Sequence, residues 1–206
     1  MPEGGSVLDI GCGGGVGAFA ITPPAAHVIG VDHQQEMLDL FSQNARERGA
    51  TSETFLGMWP DLADVTPIAD VVTVHHVAFN VGDIVPFVKA CDSHARKRVV
   101  LEVPIVHPMS NMNEGWKHFW DVTRPTVPVA KDLISVLDEI GIKANIEYFT
   151  GEILLDKVVE DANKYIRIRL CLPASRQDEV DTYLSEHPQP RTRNLAVIWW
   201  DKPAVS

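Results

Sequence analysis

Val7-Leu8-Asp9-Ile10-Gly11-Cys12-Gly13-Gly14-Gly15-Val16-Gly17 carries the first strong signal in the chain. A short apolar run stops on glycines, and a helix is expected to follow. Glycine lets the backbone turn tightly and approach a ligand, and N–H groups at a helix N-terminus favour a negative or carboxylate-bearing group. Nucleotide-binding readings compete for such a loop. A phosphate-binding P-loop needs a Gly-Lys pair, and the chain has none. The dinucleotide pattern G-x-G-x-x-G fits Gly11 and Gly13 but meets Val16 at its third glycine. A Tyr-x-x-x-Lys pair is also missing, because Tyr148, Tyr165 and Tyr183 are followed four residues on by Glu152, Arg169 and His187.

Outward from this loop, apolar runs alternate with helical periods. His27 to Val31, Asp70 to Val74 and Arg98 to Val103 join Val7 to Ile10 as strands buried on both faces of a parallel sheet. Gln34 to Arg48 places Met37, Leu38, Phe41 and Ala45 on one helical face and ends at Gly49. Asp83 suits a helix N-cap, with Ile84, Val88, Cys91 and Ala95 as the buried face, and Leu133, Leu137 and Ile140 before Gly141 repeat the pattern. Strand and helix in alternation mean an α/β fold with right-handed crossovers. Further on, Ile142 to Phe149 reads as an exposed strand, Asp156 to Leu172 and Ser175 to Glu186 as helices, and Asn194 to Trp200 as a final apolar strand. Residues 104–128 hold four prolines around Trp116, His118, Phe119 and Trp120 and show no clear period, so they read as a functional lid or a poorly ordered segment.

The 206 residues, 45% hydrophobic and 22% charged, suffice for one domain with a full core. Twenty-eight acids against eighteen bases give a net charge of −10, which repels phosphate backbones and argues against nucleic acid as a partner. Cys12, Cys91 and Cys171 are odd in number and widely spaced, which argues against a disulfide framework or a structural zinc site and suits a reducing cytoplasm. No run approaches the ~18 apolar residues of a membrane span, and the N-terminus lacks a secretory pattern.

The order Asp9-x-Gly11-x-Gly13-x-Gly15 resembles the first motif of class I S-adenosylmethionine-dependent methyltransferases. Ile29-Gly30-Val31-Asp32 supplies the acid with which that family binds ribose hydroxyls, and Asp70-Val71-Val72-Thr73-Val74-His75-His76-Val77 is similar to its fourth-strand motif. The resemblance implies a Rossmann-like, seven-stranded, mostly parallel sheet in the order 3-2-1-4-5-7-6, with helices on both faces and an antiparallel last strand. Residues 1–206 then form a single domain, with 104–128 as lid and 151–187 as a helical insertion before the last strand. It also implies S-adenosyl-L-methionine as cofactor, no metal, and methyl transfer to a small-molecule acceptor in a cytoplasmic enzyme. Protein methylation and a non-catalytic cofactor-binding or assembly module are the alternatives.

Roles follow residue by residue from the resemblance. Gly11, Cys12 and Gly13 let the backbone approach the amino-acid end, Asp9 fixes the loop or reaches the ammonium group, Asp32 accepts from the ribose, and His33 touches the adenine edge. Phe55-Leu56-Gly57-Met58-Trp59 departs from the family pattern, which has an acid near Met58. Met58 and Trp59 are assigned to the cofactor site through packing on the adenine and a backbone N–H. His75 and His76 sit at the ligand edge of the fourth strand, and strand alternation sends them to opposite sides. His75 is expected toward the cofactor and His76, as the catalytic base, toward the acceptor. Two structural histidines are the competing reading, as a satellite core is for the Trp116–Trp120 aromatics. Glu102 borders the same edge. Only six residues precede the first strand, where many family members carry a covering helix. Cover is expected from residues 104–128, from the Asp156–Glu186 helices, or from a partner subunit of a homo-oligomer. A truncated chain that binds with poor activity is the alternative.

Overall fold

β-Branched runs form strands here because the helices packed on the sheet cover both of their faces. The computed structural model describes residues 1–152 and 160–203. The strands are β1 (Ser6–Ile10), β2 (His27–Asp32), β3 (Thr51–Leu56), β4 (Ala69–His75), β5 (Ala95–Pro104), β6 (Asn145–Glu152) and β7 (Thr192–Asp201). They form one sheet in the order β3-β2-β1-β4-β5-β7-β6, as expected, with β1 to β5 parallel and the last strand antiparallel. The helices described are α1 (Val16–Phe19), α2 (Gln35–Glu47), α3 (Ile84–His94), α4 (Asn113–Trp120), α5 (Ala130–Glu139), α6 (Ala162–Arg169) and α7 (Gln177–Glu186).

Register explains the choice of residues. Val7 lies between Val28 and Val71, and Ile10 between Val31 and Val74. All six are buried, each contributing about 1.5–3 kcal/mol by leaving water. The same register brings the C-terminal ends of β1, β2 and β4 side by side. Strand order reverses between β1 and β4, and open α/β sheets form their ligand crevice at such a reversal. β3 has no apolar run to announce it: it is an edge strand of exposed and half-buried residues.

Two units divide the chain. The first comprises Met1–Val103, Ala130–Glu147 and the chain from Ala196; the second is Pro104–Val129 and Tyr148–Leu195. In the first, α2 buries Leu38, Phe41 and Ala45, and Gly49 takes φ +71 just beyond its end. Asp83 caps α3 by accepting from the Val85 amide at 3.3 Å. The buried face of α3 is Phe87, Val88, Cys91 and His94, one position round from the expected stripe at Ile84. The histidine ring nitrogens lie 2.8 and 2.9 Å from the Ala90 and Ala63 carbonyls, which lets a polar residue occupy that face.

The second unit has its own core of Met112, Ile166, Leu170, Leu172, Val180, Tyr183 and Leu184. Residues 104–128 are not irregular throughout: a 3-10 turn (Pro108–Met112) leads into α4. Met112, Trp116 and Phe119 follow a helical i, i+4, i+7 spacing that the flanking prolines obscured, and Trp116 and Phe119 pack on the unit's core. The satellite-core reading therefore holds for these aromatics. Trp120 donates its indole N–H to the Leu170 carbonyl at 2.8 Å. The helix expected over Asp156 to Leu172 is described as α6, whose start is capped by Asp161 accepting from the Lys164 amide. Residues 153–159, part of that expectation and of the 151–187 insertion, lie outside the described residues. The second helix of the pair is α7, preceded by a 3-10 turn at Ala174–Arg176.

Candidate functional site

Three glycines of the loop after β1 are left-handed, and two of them shape the crevice. Gly11 has φ +67, and a Cβ there would lie 2.4 Å from Val77 Cγ2. Gly13 has φ +49, and a Cβ there would meet nothing within 4 Å. The first glycine lets β1 pass beneath the segment after β4; the second leaves open space beside the loop. The loop's own donors are largely committed. Gly11 and Cys12 amides donate to the Val31 carbonyl at 2.8 and 3.0 Å, and the Gly15 amide to the Cys12 carbonyl at 2.7 Å. The Gly13 amide donates to Asp32 Oδ2 at 2.9 Å. These four N–H groups are therefore turned inward, which is not how a phosphate-cradling loop presents its donors.

Asp9 fixes the loop rather than facing the crevice. Its Oδ2 accepts from the Ala18 amide at 3.0 Å and its Oδ1 from the Thr73 hydroxyl at 3.1 Å, tying β1 to α1 and β4. Burial pushes its carboxyl up to about 7, against these two hydrogen bonds and with the nearby Asp32 charge adding to the rise. Cys12 is buried, and its sulfur sits where a Cβ at Gly30 would be only 2.8 Å away. Burial raises its thiol well above the usual range, so it packs and is no nucleophile.

Asp32 ends β2 and is 7% exposed. Beyond Gly13 it accepts from the Gln34 amide through Oδ1 at 3.0 Å, so one carboxylate braces both the glycine loop and the entry to α2. Each oxygen keeps a further acceptor position, since a carboxylate offers about four. His33 is exposed, with Nδ1 3.4 Å from Asp32 Oδ1. Met58 is exposed after β3. The Trp59 side chain is buried: its indole N–H donates to the Phe87 carbonyl at 3.3 Å, and its ring meets His94 edge-on at 4.9 Å. An aromatic of that size gains more from the α3 layer than from an open crevice.

The two histidines do not diverge. β4 ends at His75, and His76 takes φ +60, so strand alternation no longer applies to the pair. Both imidazoles converge on Glu102 of β5: His76 Nε2 is 3.1 Å and His75 Nδ1 3.9 Å from its Oε1. His75 lies against α1, where a Cβ at Gly17 would fall 2.6 Å from its ring. Burial lowers its pKa, with Glu102 opposing. Glu102 is the residue sequence reasoning undervalued. The signal was present in the strand order, because β5 neighbours β4 and its register sets Glu102 opposite His75.

Comparison with known proteins follows the same geometry. Residues 7–98 match the model of a methyltransferase-domain family. An uncharacterized protein of Haemophilus influenzae is 31% identical over 150 residues, covering 71% of this chain and 54% of that protein. A ubiquinone biosynthesis O-methyltransferase of Idiomarina loihiensis is 37% identical over 89 residues, 43% of this chain and 37% of that enzyme. The chain thus spans about half, or less, of the length of the curated relatives it matches. Among solved structures, the YcgJ protein of Bacillus subtilis aligns with a TM-score of 0.62 at 19% identity, covering 98% of this chain and 93% of that one. An S-adenosylmethionine-dependent methyltransferase of Geobacter sulfurreducens, in complex with S-adenosyl-L-homocysteine, aligns with a TM-score of 0.59 at 14% identity, covering 98% and 86%. Both share the fold. Residues 7–98 thus match a methyltransferase domain, and the chain as a whole shares its fold with these two solved structures.

Proposed function

We propose that the first unit binds S-adenosyl-L-methionine and that the chain is a methyltransferase acting on a small-molecule acceptor. The observation that carries this reading is the pairing of an inward-bonded glycine loop with a braced acid at the end of β2. Such a loop suits a ligand without phosphates, and the spare acceptor positions of Asp32 suit a pair of ribose hydroxyls. Gly11, Cys12 and Gly13 line the amino-acid end, where the open space beside Gly13 admits a ligand. His33 and Met58, both exposed, border the adenine, and His75 stands on the cofactor side against α1.

The cofactor supplies an electrophilic methyl group on a sulfonium centre. What the chain adds is positioning and, for an acceptor that must lose a proton, a base. His76 is the proposed base. Glu102 Oε1, 3.1 Å from His76 Nε2, would stabilise the imidazolium formed when the ring takes up a proton. The relatives named for O-methylation in ubiquinone biosynthesis favour a small acceptor over a macromolecule.

Calorimetry with S-adenosylmethionine, S-adenosylhomocysteine and NAD tests the binding half. The adenosyl compounds should bind about a hundredfold more tightly than NAD, or about 2.7 kcal/mol. Tight NAD binding with no response to S-adenosylmethionine ends the reading. Transfer of labelled methyl into small-molecule extracts tests the catalytic half. Binding without turnover of any acceptor would leave a cofactor-binding module.

A further inference from the structure

The second unit carries a half-open cavity of about 790 Å³ between residues 104–112 and 188–194, with α6 and α7 contributing the remaining wall. Every lining residue belongs to that unit. The two chain segments are tied to each other at both ends. The Ile105 amide donates to the Asn194 carbonyl at 3.0 Å, and Asn111 Nδ2 to Gln189 Oε1 at 3.3 Å. The space is therefore formed by the fold, and its size falls within the range that takes a drug-sized molecule.

Its chemistry is two-sided. Met112, Ile166 and Leu184, all core residues, provide an apolar floor. The polar wall carries His107, Arg191 and Arg193 and, among the described residues, no aspartate or glutamate. In a chain with 28 acids and a net charge of −10, a lining of this length would hold about three acids at the chain's own frequency. Arg191 is exposed and forms no ion pair with a carboxylate among the described residues. The nearby Asp181 is turned to the Asn163 and Gln177 amides, at 2.8 and 3.0 Å. The described lining is basic on an acidic protein, and a guanidinium is the side chain best suited to hold a carboxylate or phosphate.

We propose that this cavity binds a small amphipathic anion, with its apolar body on the Met112–Ile166–Leu184 floor and its carboxylate or phosphate at Arg191 and Arg193. The proposal does not depend on the methyl-transfer reading, because it uses no residue of the first unit. Calorimetry on the full chain, without any cofactor, tests it with three probes of similar apolar body: 3-phenylpropionate, phenyl phosphate and neutral 3-phenylpropanol. At least one anion should bind about tenfold more tightly than the alcohol, and which anion does so distinguishes a carboxylate site from a phosphate site. Arg191→Gln and Arg193→Gln should each weaken that anion about tenfold and leave the alcohol unchanged. Lys117→Gln, on α4 and off the wall, should change nothing. Arg191 is exposed, so its variant keeps the test valid if Arg193→Gln fails to fold. Equal affinity for anion and alcohol, no binding of any probe, or anion affinity untouched by Arg191→Gln overturns the proposal.

Discussion

Replacing Asp32 by alanine should damage the protein twice over. The carboxylate is 7% exposed and accepts two backbone N–H groups, from Gly13 at 2.9 Å and Gln34 at 3.0 Å. Hydrogen bonds to a charged acceptor are worth about 1.5–3 kcal/mol each, and Asp32→Ala removes both while leaving two backbone donors unpaired. Allowing for some hydration of the loop, the loss should be about 3 kcal/mol. With a urea slope of about 2 kcal/mol/M, the unfolding midpoint falls by about 1.5 M. Asp32→Asn keeps one accepting oxygen and sets its amide against the second donor, so it should sit between alanine and wild type. Urea titration followed by tryptophan fluorescence reads the stability. Calorimetry with S-adenosylhomocysteine on the folded fraction reads the second effect, a loss of affinity of at least about tenfold. An alanine variant with an unchanged midpoint would refute the bracing role. Full stability together with lost affinity would mean that the carboxylate serves the ligand alone.

The Gly11→Ala substitution drives a Cβ to 2.4 Å from Val77 Cγ2 at φ +67 and should cost about 2 kcal/mol or more by urea unfolding; Val77→Ala should recover part of the loss, and a neutral Gly11→Ala would sink the close-approach argument. His76→Ala should lower turnover about a hundredfold with S-adenosylhomocysteine affinity intact, while Glu102→Gln should shift the pH–rate profile more than it lowers the plateau; a profile left in place would deny Glu102 its positioning role. Asp9 has a folded pKa of about 7, raised by burial above 3.8, so the folded state holds the proton more tightly. Its contribution to stability is complete below about pH 4 and is lost as pH rises through 7. The stability of Asp9→Asn relative to wild type should therefore improve from pH 4 to pH 8, and a flat difference would contradict a buried, neutral carboxyl.

Much of the sheet was readable because its central strands need two buried faces. Val7, Val28, Val71 and their neighbours can satisfy that need only as consecutive apolar runs. The edges were not readable in this way. β3 pairs on one side only, with β2, so Thr51, Glu53 and Leu56 can stay exposed and no periodicity marks them. In the second unit the error ran the other way. Prolines at 104, 108, 125 and 128 suggested a segment without order, yet they flank α4 rather than interrupt it. Proline is tolerated outside a helix and in its first turn, so its density around a helix says little about the residues between. The spacing of Met112, Trp116 and Phe119 held the information that the composition concealed.

The candidate site shows why motif positions transfer more safely than side-chain directions. Asp9, Gly11, Gly13 and Asp32 sit where the pattern places them because strand ends and loop length fix their backbone. What each side chain does depends on contacts that no local pattern encodes. Asp9 turned inward because Ala18 and Thr73 offered both of its oxygens a donor. The Trp59 ring turned inward because α3 offered it a buried face and the Phe87 carbonyl. His75 and His76 converged because alternation is a property of continuing strand, and the chain leaves β4 between them with φ +60 at the second histidine. A left-handed non-glycine residue costs on the order of 1–3 kcal/mol unless its surroundings compensate. Here the compensation is visible at both ends of the residue: the His76 amide donates to the Glu102 carbonyl at 2.9 Å, and its imidazole reaches the same residue's carboxylate at 3.1 Å. One residue on the neighbouring strand thus holds both the backbone and the ring of His76, and substitution of Glu102 should loosen the ring while the main-chain carbonyl keeps the backbone in place.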